Sequence, residues 1–319
     1  MIMRRLFLPI LCSWGFAVSA QVTVVDVIPS AQSGESEQNS EPNIAVNPLN
    51  PNQIFITAFG ETSRSNPIFF TETGGSSWSR YQRIATSDST VSWSDSGKPY
   101  LAKLSISGNT LIVQKASNIA ARRPFLPMYP SFYSPGFGGP DQPWVFANLG
   151  ADDDHIFVGF NDLSRPSRTA SIRFSLNHGR TWRNVVIERV TPGDFSDGAP
   201  VRVAARGSVV YAVFQRFDAA VNNGDERGDV VVVKDTNSGR NNFRDLGGDG
   251  VGVVVATAQV FPQGSIGQER LGSDLSIAID PTNANRVFIA YDAVVSGLPV
   301  IKVALSTNGG ASWSTVYQS

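Results

Sequence analysis

Apolar residues recur along this chain in short alternating runs, each bounded by Asn, Pro, Gly or Asp. Runs such as QIFITAF (53–59), HIFVGF (155–160), VVYAVFQRF (209–217) and VFIAY (287–291) follow a period of two and read as strands. No stretch carries a helical period. The runs also recur in a fixed order: an inner apolar strand, a polar turn, a second strand ending in an aromatic, and a third strand. The first unit gives NIAVN (43–47), a turn at 48–52, QIFITAF and PIFFT (67–71). A later unit gives WVFAN (144–148), a turn at 149–154, HIFVGF and ASIRFS (170–175), and the last gives LSIAID (275–280), PTNANR, VFIAY and VIKVALS (300–306). PVRVAAR (200–206), VVYAVFQRF and DVVVVKD (229–235) form a looser unit, and KPYLAKLSIS (98–107) with TLIVQKA (110–116) form a hairpin joined at Gly108 and Asn109.

Most third strands run into the same eight-residue sentence. It reads SLNHGRTW at Ser175, Asn177, Gly179, Thr181 and Trp182, and STNGGASW at Ser306, Asn308, Gly310, Ser312 and Trp313. A degraded copy carries Thr71, Gly75 and Trp78, and a looser one carries Asp235, Gly239 and Phe243, the aromatic arriving one residue late. A short polar side chain at the third position is suited to accept backbone N–H bonds inside a tight turn, which predicts that role for Asn177 and Asn308. The glycine two positions on supplies positive φ, the hydroxyl residue adds a local bond, and the aromatic pins the turn to its neighbour, so the three Trp and Phe243 are expected to be mostly buried. The box aromatics stand at 78, 182, 243 and 313, and the first gap is wide enough for the boxless hairpin unit, so five units fill the chain after its leader. Repeats of this size with several strands each imply an all-β fold, a β-propeller of four-stranded blades. Only six residues follow Trp313, so the last unit's fourth strand is expected either from VTVVDVI (22–28) or from outside this chain, bringing the ring to six.

The eight-residue box resembles the Asp-box (BNR) repeat of sialidases and related β-propellers, whose third position is usually Asp and sometimes Asn. That resemblance implies the same propeller and a glycan-related role. It does not extend to the sialidase catalytic set. Ahead of Thr71 stands SRSNPIFF, with Arg64 but no Arg-Ile-Pro, and the late Tyr–Glu nucleophile pair has no recognisable counterpart.

Composition narrows the setting. Residues 1–20 read as a signal peptide: Arg4 and Arg5, an apolar run over 6–18, and Ala-Val-Ser-Ala before Gln21. Residues 21–40 read as an N-terminal strand and linker, and 41–319 as the repeat domain. The only cysteine, Cys12, lies in the signal, so disulfides and thiol chemistry are excluded from the exported chain, a pattern that fits a bacterial secreted or periplasmic protein. A formal net charge of −1 over 319 residues gives nucleic acid or an anionic membrane no electrostatic hold, and no apolar run is long enough for a transmembrane segment.

In a propeller the inner strands line a central channel, so residues just before them are candidates for chemistry. Glu41, Asp95, Asp141, Asp197 and Asp274 recur near that point in all five units, either as an acidic ring for catalysis or as inherited turn formers. Trp144, beside Asp141, and Arg202, within an inner strand, are candidates to face a ligand, whereas Arg216 reads as a solvated or inter-blade ion pair. Residues 118–140 look like an aromatic, Pro-rich insertion, in which Arg122 and Arg123 suit a carboxylate and Tyr129, Phe132, Tyr133 and Phe137 suit sugar faces. Asp152, Asp153 and Asp154 read as a charged turn; His155 and His178, the only histidines, make no metal site or triad, and no cofactor is expected. The expected function is a glycan- or surface-partner-binding module without sialidase activity. The alternative is a glycoside hydrolase working with two of the carboxylates at the channel mouth. A scaffold for building protein complexes is a third reading.

Overall fold

The computed structural model describes residues 40–59, 66–86, 88–116, 125–134, 138–165, 169–190, 200–221, 225–262 and 274–319. The signal segment, VTVVDVI, Arg122, Arg123, Phe137 and Asp197 lie outside them, as does the side chain of Glu41. The described chain forms five four-stranded antiparallel sheets, each an up-and-down meander in sequence order, arranged as a β-propeller. Blade 1 is β1 (Ser40–Val46), β2 (Ile54–Phe59), β3 (Asn66–Thr71) and β4 (Ser79–Ile84); blade 2 is β5 (Ser89–Trp93), β6 (Pro99–Leu104), β7 (Thr110–Lys115) and β8 (Leu126–Tyr133). Blade 3 is β9 (Pro140–Leu149), β10 (Asp154–Asp162), β11 (Ala170–Ser175) and β12 (Arg183–Val186). Blade 4 is β13 (Val201–Arg206), β14 (Val209–Ala220), β15 (Glu226–Asp235) and β16 (Val253–Phe261); blade 5 is β17 (Leu275–Asp280), β18 (Asn283–Val295), β19 (Leu298–Ser306) and β20 (Ser314–Gln318). The last blade thus draws its fourth strand from the residues after Trp313, and neither source expected from the sequence is needed.

Among the described residues, four buried clusters lie one at each junction between consecutive blades. Phe55, Val91 and Leu101 join blades 1 and 2; Tyr100, Val145 and Phe160 join blades 2 and 3; Phe157, Val203 and Phe214 join blades 3 and 4; Tyr211, Ile289 and Tyr291 join blades 4 and 5. Strands β10 and β14 are buried on both faces because each blade is covered on two sides. In β18 buried and half-buried residues alternate, and no corresponding cluster links blade 5 to blade 1 among the described residues. Ile44, Val46, Ile301, Val316 and Tyr317 stand exposed on those two blades.

Inner strands β1, β5, β9, β13 and β17 lie side by side in that order. Their free edges need partners, and short polar side chains supply them. Asn43 Oδ1 accepts Val91 N at 2.7 Å, Thr90 Oγ1 accepts Val145 N at 2.9 Å, and Ser92 Oγ accepts Ala147 N at 3.2 Å. Hence β5 reads STVSW: the Thr90 and Ser92 hydroxyls serve the next blade's backbone while Val91 and Trp93 are buried.

The boxes close the third-to-fourth strand turns at the end opposite the starts of the inner strands. Asn177 Oδ1 accepts Thr181 N at 2.9 Å and Asn308 Oδ1 accepts Ser312 N at 3.0 Å, meeting the expectation for that position. Ser175 and Ser306 hydroxyls accept the N–H of Gly179 and Gly310 at 2.8 and 2.9 Å. Gly179 and Gly310 have φ of 78° and 90°, and a Cβ on Gly179 would collide with Met128 of the preceding blade. Asn177→Ala should lower stability by about 1–2 kcal/mol in urea unfolding, the loss of local bonds in an exposed turn.

The box aromatics are mostly buried, as expected, though unequally. Phe243 is fully buried, but Trp78, Trp182 and Trp313 are half-buried. The reason is local: the Trp182 and Trp313 indoles donate back to Gly179 O at 3.1 Å and Gly310 O at 3.0 Å, which holds one ring edge at the turn surface. Trp182, Phe243 and Trp313 nonetheless pack at equivalent junctions, each against the preceding blade.

Candidate functional site

All five inner strands start at the same end of the propeller, so their first residues share that end, the expected mouth of the channel. Arg202, second residue of β13, bridges the two inner strands beside its own there. Its guanidinium lies 4.4 Å from the Trp144 ring centroid on β9, gives Nη2 to Asp274 Oδ1 at 2.8 Å and Nε to Leu275 O at 3.2 Å at the start of β17. Three consecutive blades therefore contribute to one cluster. Arg202 is 13% exposed and Asp274 is 73% exposed, so the cation is held in place while its carboxylate partner faces water. Trp144 is half-buried. A guanidinium fixed over one face of an indole, with an accessible carboxylate beside it, places apolar and hydrogen-bonding groups together.

The other carboxylates divide. Asp141 lies in β9, half-buried and opposite Asn161 in the register. Asp95 does not belong to this mouth. It is exposed in the turn between β5 and β6, at the box end, because the strand after it is second in its blade rather than first. The corresponding carboxylate is Asp88, just ahead of β5, 8% exposed, with Oδ2 accepting Gln142 N at 3.3 Å. Residue spacing missed it because β5, with two serines and a threonine in five positions, has the polarity of a loop.

Tyr129 and Tyr133 also lie elsewhere. Residues 126–133 form β8, the outermost strand of blade 2, rather than an inserted binding loop, and both tyrosines are exposed on that rim. The partner of Phe132 there is Phe160, 5.0 Å away. Arg173, 4% exposed, spreads its guanidinium over Trp182 and Phe132 at 4.8 and 5.8 Å and donates to Asn184 Oδ1 and Pro130 O. Burial lowers its pKa to about 10, and it ties β8 to blade 3. Arg216 is an inter-blade ion pair, bidentate on Glu188 at 3.0 Å for both bonds.

At the box end, Asp154 is fully buried and accepts hydrogen bonds from Ser94 (2.8 Å), Ser96 (2.9 Å) and Tyr100 (2.6 Å) of the preceding blade. Tyr100 has one hydroxyl proton, directed to Asp154, so His178 Nδ1 at 2.9 Å is the donor to Tyr100. Burial pushes the Asp154 carboxyl up, but the three hydroxyls and Lys98 outweigh it and hold the group below its ordinary value. Burial, with Lys115 and Lys98, also lowers His178, despite Asp153 and Asp154. Both shifts mean that the unfolded chain binds more protons, so stability is full above the ordinary values of 6.5 and 3.8 and falls as pH drops through each. Melting temperature should therefore decline in two stages on acidification, and Asp154→Asn should flatten the lower one in a pH series. Among the described residues no three His, Cys, Asp or Glu side chains converge on a metal-sized site, and no helix is long and apolar enough to cross a membrane.

No protein-family model and no curated protein matches the sequence. Solved structures do. An α-L-arabinanase of Penicillium chrysogenum, complexed with arabinobiose, matches with a TM-score of 0.56 at 10% identity, over 87% of this chain and 80% of that one. A GH74 xyloglucanase of Xanthomonas campestris matches with a TM-score of 0.52 at 10% identity, over 86% and 38%. The Niastella koreensis GH74 enzyme matches with a TM-score of 0.51 at 14% identity, over 86% and 37%. This chain thus spans under two-fifths of the two GH74 enzymes. At such identity the likeness establishes the fold, a propeller shared with carbohydrate-active enzymes.

Proposed function

We propose that this chain is an exported, sialidase-like box-repeat propeller that binds glycans at its channel mouth and has no sialidase activity. The observation that carries this reading is the Trp144–Arg202–Asp274 cluster, built from three blades at one end of the channel. Trp144 offers a flat apolar surface to a sugar ring, and Arg202 with Asp274 offers a donor and an acceptor to its hydroxyls. The sequence of the first 20 residues supports export. Sialoside cleavage needs several arginines on the substrate carboxylate and an activated nucleophile; losing both removes binding and covalent chemistry together. A fluorogenic sialoside should be left intact by the purified protein, and turnover abolished by Arg202→Ala would refute this.

A glycoside hydrolase is the second reading, favoured by one contact. Asp88 accepts the backbone N–H of Gln142, which brings a buried carboxylate beside the residue that follows Asp141. Two carboxyl groups separated by about 5–10 Å are the requirement for glycoside hydrolysis. Turnover of a neutral aryl glycoside, lost in both Asp88→Asn and Asp141→Asn, would establish it.

A further inference from the structure

Lys103 has a half-buried side chain and, among the described residues, no carboxylate in a salt bridge with it. It is the fifth residue of β6, paired with Ser89 on one side and Ile112 on the other. Its Nζ donates to Ala85 O at 2.9 Å, and no salt bridge reaches it among the described residues. Burial lowers its pKa. The polar groups around its cross-strand neighbour are already engaged: Ser89 Oγ lies 2.8 Å from Thr57 Oγ1 and accepts Asn66 Nδ2 at 3.2 Å. A cation partly removed from water without a counter-ion is unfavourable unless something else supplies the charge.

The ammonium borders a solvent-open groove of about 620 Å³, lined by Ala85, Lys103, Ser105, Ile106, Ser107 and Ile112. The groove lies where blade 1 hands over to blade 2, at the end of the molecule that carries the channel mouth. Its walls have distinct chemistry. Ile106, 53% exposed, gives with Ile112 an apolar side. Ser107 Oγ donates to Asn109 Oδ1 at 2.6 Å, and Ser105 Oγ lies 3.0 Å from Ser107 Oγ. With its proton committed to Asn109, the Ser107 oxygen is left as an acceptor.

We propose that this groove binds an acidic sugar, its carboxylate paired with Lys103, its ring over Ile106 and Ile112, and its hydroxyls donating to the serine oxygens. The Lys103 ammonium supplies the charge, the isoleucines the apolar contact, and the serines the discrimination in favour of a hydroxyl-bearing ligand over a simple anion. This rests on the glycan reading only in taking the ligand to be a sugar; the groove is separate from the Trp144 cluster.

Isothermal titration with an α-linked galacturonic acid trimer and its methyl ester tests it on the wild type, Lys103→Met, Lys103→Arg and Trp144→Ala. The wild type should bind the acid about tenfold or more tightly than the ester. Lys103→Met should bind the two equally, Lys103→Arg should keep part of the preference, and Trp144→Ala should leave the ratio unchanged. In ligand-free buffer Lys103→Met should melt at or above the wild type, which shows that it folds, and should lose the thermal shift that the acid produces. A ratio near one in the wild type, a ratio retained in Lys103→Met, or displacement of the trimer by inorganic sulfate at the trimer's own affinity would each overturn the proposal. A failure of the channel-mouth reading shows differently, as undiminished glycan-array binding by Trp144→Ala.

Discussion

Glu188→Ala is expected to destabilise the fold by about 3–5 kcal/mol, the loss that follows when one partner of a buried ion pair is removed. Glu188 and Arg216 are 5% and 13% exposed, and both bonds between them are 3.0 Å. Glu188 follows the last strand of blade 3 and Arg216 lies on the second strand of blade 4, so the pair fastens one blade to the next. The same carboxylate also accepts Val190 N at 2.8 Å, which orders the chain leaving blade 3. Without Glu188 the guanidinium stays buried and uncompensated. Glu188→Leu combined with Arg216→Met should recover most of the loss, because the penalty belongs to the unpaired charge rather than to the absent bond. Urea unfolding of the three proteins measures this, and a loss below about 1 kcal/mol for Glu188→Ala would mean that the pair behaves as a surface salt bridge.

Phe243→Ala should cost about as much, roughly 3–5 kcal/mol, as a fully buried aromatic truncated to a methyl group. The ring is inaccessible, sits among Phe174, Val203 and Val233 at the junction of blades 3 and 4, and meets Phe174 edge-on with centroids 6.3 Å apart. Its backbone is held independently: Phe243 N donates to Asp235 Oδ2 at 3.0 Å, and φ is 57°. Alanine keeps that anchor, so the loss reports the cavity alone. Trp182→Ala, whose ring is half-buried, should fall short of it. Equal losses for the two would contradict the burial difference, and are read from the same unfolding curves.

The repeat made the fold legible. A period of two in the strands, a polar third position and a glycine in each box announce blades and turns from the sequence alone, since those residue types answer local requirements of backbone geometry. What escaped notice depended on contacts between blades. Strand β5 is hidden because Thr90 and Ser92 bond to the backbone of β9, a partner some 55 residues away. Asp88 is hidden with it, and residue spacing points to Asp95 in its place. Residues 126–133 looked like a loop because prolines and tyrosines suit an outer strand with one open edge, where missing N–H donors do no harm. Arg202 was legible as a residue of the channel wall, whereas its grip on Asp274 and its place over Trp144 depend on the spacing of three blades.

Glycan-array binding by the wild type beside Trp144→Ala bears most directly on the channel-mouth reading. The wild type should mark a restricted set of sugars, and Trp144→Ala should lose those signals while melting within a few degrees of the wild type. Undiminished binding by Trp144→Ala, or no sugar bound by the wild type at all, would contradict it.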